Sequence, residues 1–552
     1  MSIESITELI ARAHRYDDVP ANKWQTEFAS VGALLAAQVA SQPNAQFLKY
    51  FDDDSGETSA FTYAEFADEV ARAAGFLTAQ GLRTGDCFAT LSHNHPMGVV
   101  LLFAGWQLGL AVAPQNVSED DARIAFILCN ANVKLVVAHP SLLGRAQDIT
   151  LLMPEDARNT GVFSFSDIAE FDELSMDNTA DFRSLSALLV YTSGTTGQPK
   201  GVALTQYNLL INAQATATWH GLTSASRLMC VLPIHHVNGI VVTLLTPLFA
   251  GASVVLNRSF KASIFWQRLR DENVAVVSVV PTILQFLCEA AGAVTATDLP
   301  SLKHIVCGAG TLSIALVFKF EAQFGVPVLH GYGLSETTAF CCTMPTNMAQ
   351  DARKYWLSEH GYPSIGVPFP HCDMAICDPQ GEVLLAGERG EIVIRGHYIM
   401  DGYLHRGDEN AETFKHGWFR SGDEGFFVNG DCGRPFFFIT GRLKELINRG
   451  GIKYSPFEIE EVLSIIVGVK IGLAIAFDND WYGEEVGAFV VREVGSAIGA
   501  AEIIAACRAK MPFAKCPKVV VFGDDAPVTV TGKYQRLKLK NLFSAYLKTQ
   551  FI

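Results

Sequence analysis

An α/β fold is predicted for this 552-residue chain, and three observations predict it. Up to about residue 330, short apolar runs alternate with segments of helical period, the pattern of parallel strands covered by helices. From Ile365 glycine turns become frequent and the strands between them short, which reads as a more antiparallel β subdomain. After Lys444 a compact α+β unit begins, so the expected division is 1–443 and 444–552.

Residues 1–27 read as an irregular polar lead-in and Phe28–Gln42 as a first amphipathic helix. Phe47–Tyr50 and Ser59–Thr62 flank the turn DDDSGE and suggest a small hairpin. Tyr63–Gln80 sets Phe66, Val70, Ala73 and Phe76 on one helical face. GLRTGD is a turn before the strand Cys87–Leu91, and the polar stretch Pro154–Arg183 reads as irregular. Then come the strand Ala187–Tyr191, the helix Thr205–His220, the strand Arg227–Leu232 and a long apolar helix from about Gly239. The strand Val274–Val280 stops at Pro281, and the strand Ile305–Cys307 runs into Gly308-Ala309-Gly310. The helix Leu312–Phe324, the strand Pro327–His330 and the short strand Glu391–Arg395 follow. The last unit holds the helices Pro456–Ile466 and Ala501–Lys510 and the strands Gly472–Phe477 and Val486–Val491, with no internal repeat or low-complexity linker along the chain.

With 49% hydrophobic and 18% charged residues the composition is globular. A formal charge of −15 argues against a general nucleic-acid binder, although a local basic pocket is compatible with it. The twelve cysteines lack zinc-ligand spacing and read as thiols in a reducing cytoplasm. The start of the chain carries acids and no apolar core, which is unlike a signal peptide. Met97–Pro114 and Gly239–Leu256 are each at the short limit for a membrane span, and both sit inside the strand–helix alternation. They read as buried core, so no integral span is expected.

Ala187–Val202 reads ALLVYTSGTTGQPKGV: a strand, a hydroxyl- and glycine-rich loop with one cation, and a second apolar step. Thr192, Ser193, Gly194, Thr195, Thr196 and Gly197 offer backbone and hydroxyl donors to an anion, and Lys200 adds a point charge. Gln198 and Pro199 separate Gly197 from Lys200, so this is not a Walker A loop. On composition a plain polar hairpin is an equal alternative. In HGYGLSETT, Gly331 and Gly333 open the backbone, Tyr332 offers a flat face to a base, and Glu336 is a hard oxygen ligand suited to Mg2+ near phosphates. A tight turn with a solvated carboxylate is the alternative there. In WFRSGDEG, Asp423 sits where a carboxylate can accept both hydroxyls of a ribose, or make an ordinary Asx turn.

Taken together these strings resemble the adenylate-forming superfamily, which holds acyl-CoA synthetases, peptide-synthetase adenylation domains and firefly luciferase. YTSGTTGQPKGV is similar to its signature loop, HGYGLSETT to its YGxTE-type motif, and WFRSGDEG to its GWFxTGD motif with Ser421 in place of threonine. Tyr403 and Thr413 fit the GYxxxxxxT element, Gly441–Glu445 the GRxKE hinge, and TVTGKYQR, after Pro527, the PxTxxGKxxR motif. The likeness runs over residues 28–545. It implies a large N-terminal domain of two helix-covered sheets plus a β subdomain, and a small mobile α+β C-terminal domain. It implies Tyr332 against adenine, Glu336 on magnesium, Asp423 and Arg442 on the nucleotide, Lys444 as the hinge, and Lys533 as the adenylation lysine. Thr196 and His236 join Glu336 and Lys533 as catalytic candidates; Gly308, Ala309, Gly310, Gly331 and Gly333 join the nucleotide set. The implied reaction has two steps: a carboxylate attacks the α-phosphorus of ATP with loss of pyrophosphate, then a nucleophile takes the acyl group and AMP leaves.

NRGGIKYSP is similar to the loop of stand-alone acyl-CoA synthetases, and Gly450 and Gly451 leave backbone narrow enough for a pantetheine arm. A β-turn is the plain reading of the same pair. Luciferases and coumarate ligases usually read KYKGxQ there, which disfavours both. No carrier-protein domain follows before Ile552, so a stand-alone ligase is expected, with coenzyme A as acceptor and a separate carrier protein as the alternative. PIHHVNG resembles the PxFHxxG segment beside the acyl pocket, with His236 at its histidine and His235 at a usual phenylalanine; no aspartate in Ile234–Val242 holds an amine. The expected substrates are a small-molecule carboxylic acid, ATP with Mg2+, and coenzyme A. A regulatory nucleotide-binding module and a luciferase-like monooxygenase are the readings from other classes.

Overall fold

The computed structural model describes residues 5–158, 160–175, 177–192, 198–290, 294–431, 433–528 and 534–551. Among these, the strands form sheets of thirteen, seven and five. In the large sheet, Gln46–Asp52, Ser253–Asn257, Arg227–Cys230, Val276–Val279, His304–Cys307 and Val328–Gly333 lie side by side and parallel. All but Gln46–Asp52 are buried almost throughout, as strands covered on both faces are. The second sheet sets Gly161–Ser164, Val133–Ala138, Cys87–Leu91, Ala111–Gln115 and Ser186–Thr192 in parallel, and adds Lys200–Thr205 antiparallel at the far side.

Helices fill the space between these two sheets. Pro96–Gln107 is buried almost all round, from Val99 to Trp106. Gln206–Trp219 and Asn238–Leu245 share its core. The two candidate spans are therefore interior, and no helix among the described residues is long and apolar enough to cross a membrane. Trp106 shows how an indole is accommodated there: its Nε1 donates to Ala187 O at 2.8 Å, while Gln206 Nε2 donates to Trp106 O.

The β subdomain is not a separate sheet. Phe340–Thr343, Ser364–Pro368, Pro435–Arg442, Phe419–Asn429, Gly390–Gly396 and Cys372–Cys377 extend the large sheet antiparallel beyond Val328–Gly333. The five-stranded sheet lies past Lys444, built on Val469–Asn479 and Gly483–Arg492, with Val519–Gly523 parallel to the latter.

Three expectations need correction. The lead-in contains a helix, Ile6–Ala13, closed by the capping box of Ser5 and Glu8. Its Arg12 reaches His416 O, so tertiary contact stabilises eight residues too short to be helical alone. Pro154–Arg183 contains an edge strand, Gly161–Ser164, which a neighbour's backbone rather than its own pattern selects. The apolar helix near Gly239 is π-helical over Asn238–Leu245 before a short α-turn, and Thr246 Oγ1 donates to Val241 O, five residues back.

Asn94 ties the ends of the two parallel sheets. Its Nδ2 donates to Leu232 O and Asn257 O, each at 3.0 Å, and its Oδ1 accepts from Ile234 N at 2.9 Å. It is 5% exposed. Replacing Asn94 by Leu should lower stability by about 3 kcal/mol in urea denaturation, because buried backbone groups lose their partners.

Candidate functional site

The hairpin of Ser186–Thr192 and Lys200–Thr205 pairs Thr192 with Lys200 and Tyr191 with Gly201. Its tip carries Ser193, Gly194, Thr195, Thr196 and Gly197, which lie outside the described residues. The root is well placed. Gly402–Tyr403 pairs with Val202 and Ala203, which brings the Tyr403 ring beneath Lys200, its Nζ 4.9 Å from the ring centroid. Tyr403 Oη donates to Glu336 Oε1 at 2.8 Å. Burial, then the Glu336 charge, pushes the Tyr403 phenol far above its ordinary range, so it remains a donor. Arg406 Nη2 donates to Gln198 Oε1 at 3.3 Å and supplies a second cation beside the loop.

Glu336 sits in a single 3₁₀ turn, Ser335–Thr337, immediately after the strand Val328–Gly333, and is 9% exposed. Its Oε2 is not used by Tyr403. Among the described residues no three His, Cys, Asp or Glu side chains gather as a metal cluster. A lone carboxylate of this kind matches Mg2+, which takes one or two protein carboxylates and completes its shell with waters and phosphate oxygens.

Tyr332, Asp423 and Arg442 form one group. Tyr332 Oη donates to Asp423 Oδ2 at 2.7 Å, and Arg442 Nε pairs with Asp423 Oδ1 at 2.8 Å. Asp423 and Arg442 are cross-strand partners. The Asp423 charge holds the Arg442 guanidinium above its ordinary value. Asp423 lies in a strand rather than an Asx turn, with Gly422 at φ 72° and the Ser421 hydroxyl accepting from Asp423 N. Each Asp423 oxygen already has one internal donor, and each retains lone-pair capacity for another.

The glycines beside this group are sites of close approach. A Cβ on Gly308 would lie 2.5 Å from Gly331 O, one on Gly331 2.7 Å from Phe340 Cε1, and one on Gly333 1.7 Å from Ala339 O. Ala309 has φ 63° and Gly310 faces Pro281. His236 lies six residues after the strand Arg227–Cys230, which is three strands from Val328–Gly333 in the large sheet. Its ring is 4.3 Å from that of His235, whose imidazole is held neutral by burial and then by His236.

Of the remaining candidates, those among the described residues are not gathered here. Lys444 is exposed, one residue beyond Leu443, whose N–H donates to Gly422 O. Gly450 and Gly451, with φ 60° and 86°, make the two-residue turn of the hairpin Ile447–Arg449 and Ile452–Tyr454, the left-handed pair such a turn needs. A side chain on Gly451 would meet nothing within 4 Å, and one on Gly450 only Tyr482. The first strand of the hairpin is held by Arg449 Nε to Glu485 Oε1 at 2.6 Å, Asn448 N to Glu484 Oε2 at 2.7 Å, and Arg449 over the Tyr482 ring. Glu485 is fully buried and Lys518 Nζ lies 3.7 Å from it. Lys533 lies outside the described residues, with Thr529–Gly532. Sequence reading missed Arg406 and Glu485, because each acts through a partner remote along the chain.

The family model described as AMP-binding enzyme matches residues 35–404, and that for the AMP-binding enzyme C-terminal domain matches 458–533. An oxalate–CoA ligase from Arabidopsis thaliana is 31% identical over 86% of this chain and 92% of its own. A sulfoacetate–CoA ligase from Cupriavidus necator is 32% identical over 93% of this chain and 98% of its own. ATP-bound MatB from Rhodopseudomonas palustris, 25% identical, superposes over 94% of this chain and 100% of its own with a TM-score of 0.83; apo MatB, over the same shares, gives 0.74.

Two substitutions separate close approach from hydrogen bonding in this group. Tyr332→Phe should cost about 1 kcal/mol in chemical denaturation, one hydrogen bond, with the ring retained. Gly333→Ala should cost at least twice that, because the added carbon meets the Ala339 carbonyl.

Proposed function

The chain belongs to the AMP-binding enzyme family, and from that membership we propose how its own residues carry the reaction. It is an acid–thiol ligase: ATP activates a carboxylic acid to an acyl-adenylate with release of pyrophosphate, and acyl transfer to coenzyme A gives a thioester and AMP. The contact chain Lys200–Tyr403–Glu336 carries the residue assignment, because it joins the root of the phosphate loop to a buried carboxylate suited to Mg2+.

In the adenylation step, the loop Thr192–Gly197 with Lys200 is proposed to hold the phosphates. Glu336 would hold Mg2+, which when bound neutralises phosphate charge during pyrophosphate departure. Tyr403 fixes the Glu336 carboxylate by its short hydrogen bond and keeps one oxygen facing away from itself. Tyr332 and the Gly308–Gly310 loop are proposed to enclose the adenine. Asp423 would accept from the ribose hydroxyls with the lone pairs left after Tyr332 and Arg442 have bound it. His236 is proposed to line the acid pocket, off the nucleotide cluster on the same sheet edge. Lys533 would stabilise the carboxylate and α-phosphate oxygens.

In the second step, the thiol sulfur bonds to the acyl carbon, the acyl–phosphate oxygen bond breaks, and AMP leaves. Gly450 and Gly451 are proposed to line the pantetheine path. Their hairpin tip faces open space here, so the small unit, 444–552, would rotate about Lys444 before thioester formation. The open Gly451 position, with no acceptor path enclosed around it by the described residues, supports reading the present arrangement as that of adenylation. A cytoplasmic setting is proposed because the described cysteines are free thiols.

A panel of oxalate, sulfoacetate, ferulate and straight-chain acids, scored separately for pyrophosphate release and CoA thioester, tests this reading. At least one acid should give both products; pyrophosphate release with acyl transfer only to a carrier protein would replace coenzyme A as acceptor. Glu336→Gln should raise the Mg2+ concentration required for half-maximal pyrophosphate release. Gly451→Trp should abolish thioester formation while pyrophosphate release remains within a few-fold of wild type. Lys533→Ala should slow adenylation by about 10²–10³-fold and leave conversion of supplied acyl-adenylate near the wild-type rate.

A further inference from the structure

Two adjacent carboxylates on the helix Pro456–Ser464 make different connections. Glu460 takes Arg536 in a bidentate pair, Nε and Nη2 each at 2.7 Å, and Arg536 also reaches Glu445 at 3.2 Å. Arg536 stands three positions after Lys533 in the sequence. Glu461 turns to the large part of the molecule: its Oε1 and Oε2 accept from Ile314 N at 3.1 and 3.3 Å. Ile314 is the first residue of the eleven-residue helix Ile314–Phe324, whose own cap, Ser313, already accepts from Leu316 N. An N–H that the helix cannot satisfy internally is thus taken by a carboxylate from beyond Lys444. The helix begins four positions after Gly310, at the candidate adenine loop.

We propose that Glu461, seated on the N-terminus of the helix Ile314–Phe324, is the latch that holds the small unit in its adenylation arrangement. It is a positioning residue, and the inference rests on the two-arrangement reading given above. Next to the hinge, the Ser455 hydroxyl donates to Thr440 O in a buried bond; farther from it, the other polar contacts between the parts are weaker. Lys470 meets Glu289 at 3.3 Å with both side chains more than a third exposed, and Tyr362 meets Glu458 at 3.3 Å. Because Glu460 anchors Arg536 one residue away, docking Glu461 sets the orientation of the segment that follows Lys533.

Burial, opposed by the Ile314 N–H and reinforced by Glu460, raises the Glu461 carboxyl to about 7 from an ordinary 4.5. On the packed elements stand Lys319 and Glu321 of the capped helix, Lys470 and Asp478 of Val469–Asn479, Arg442 at the end of Pro435–Arg442, and Glu502 and Arg508 of Ala500–Arg508. Glu321 pairs with Arg353, Lys470 with Glu289, Asp478 with Lys540 and Arg442 with Asp423. The docked state therefore binds the Glu461 proton more tightly than an undocked, solvated one. The latch is strongest below about 4.5, weakens as pH rises toward about 7, and is weakest above that.

The test uses the full-length enzyme, the best acid of the panel and its adenylate, and a distance probe across the two units. Glu461→Lys should reduce pyrophosphate release by about tenfold or more, with thioester formation from supplied adenylate and coenzyme A within twofold of wild type. Glu461→Gln keeps an acceptor for Ile314 N, so it should restore pyrophosphate release and remove the pH dependence of the probe distance between pH 5 and 8. Equal loss of both half-reactions in Glu461→Lys, loss of neither, or wild-type pH dependence in Glu461→Gln would each overturn the latch. A wild-type probe distance that is the same with ATP as with acyl-adenylate and coenzyme A would instead remove the two-arrangement reading itself.

Discussion

The architecture of the site depends on how closely three backbone segments meet at one edge of the large sheet. Gly308 abuts the Gly331 carbonyl, Gly331 abuts the Phe340 ring, and Gly333 lies against the Ala339 carbonyl. A β-carbon at any of these would force neighbouring backbone or a packed ring to move, and protein interiors have little slack for that. With the segments drawn together, Tyr332 reaches Asp423 across ninety-one residues of chain, and Asp423 reaches Arg442 on the adjoining strand. The same approach seats Glu336 where Tyr403 can bond it, and Met400 N donates to Glu336 O.

The electrostatics follow from this geometry. The chain carries a formal charge of −15, yet Lys200, Arg406 and Arg442 converge on the candidate nucleotide region. Glu336 and Asp423, the carboxylates among them, are buried and bonded, which keeps them ordered and gives each a defined remaining acceptor direction. Tyr403 matters for that reason: it lies under Lys200 with its ring and on Glu336 with its hydroxyl, so cation and carboxylate stay in place without neutralising one another directly.

The unit past Lys444 has polar contacts and a core of its own. Inside it, the fully buried Glu485 holds Arg449, and Lys518 lies close by; Phe477 stacks on Phe543, and Arg536 is locked to Glu460. Across the junction, Ser455 next to the hinge bonds Thr440 O in a buried contact, Glu461 meets the start of the helix Ile314–Phe324, and Lys470 with Glu289 is a partly exposed pair. A body of this kind can change its docking without losing its own fold, because the interactions that hold it together are not the ones that attach it.

The sequence by itself determined the parallel βα pattern, the antiparallel texture from Ile365 and the compact unit past Lys444, because strand burial and turn chemistry are local and leave a periodic trace. It also determined which strings carry chemistry, since glycines, hydroxyls and single charges at fixed spacing are read without knowing their partners. Only the tertiary structure decided that the β subdomain continues the large sheet, that Gly161–Ser164 is a strand, and that Ile6–Ala13 is a helix, because each depends on a neighbour supplied by distant chain. It alone decided that Tyr332, Asp423 and Arg442 form one group while Gly450 and Gly451 stand apart from it. Long-range hydrogen bonds and domain docking are properties of separations in space, and no spacing along a chain encodes them.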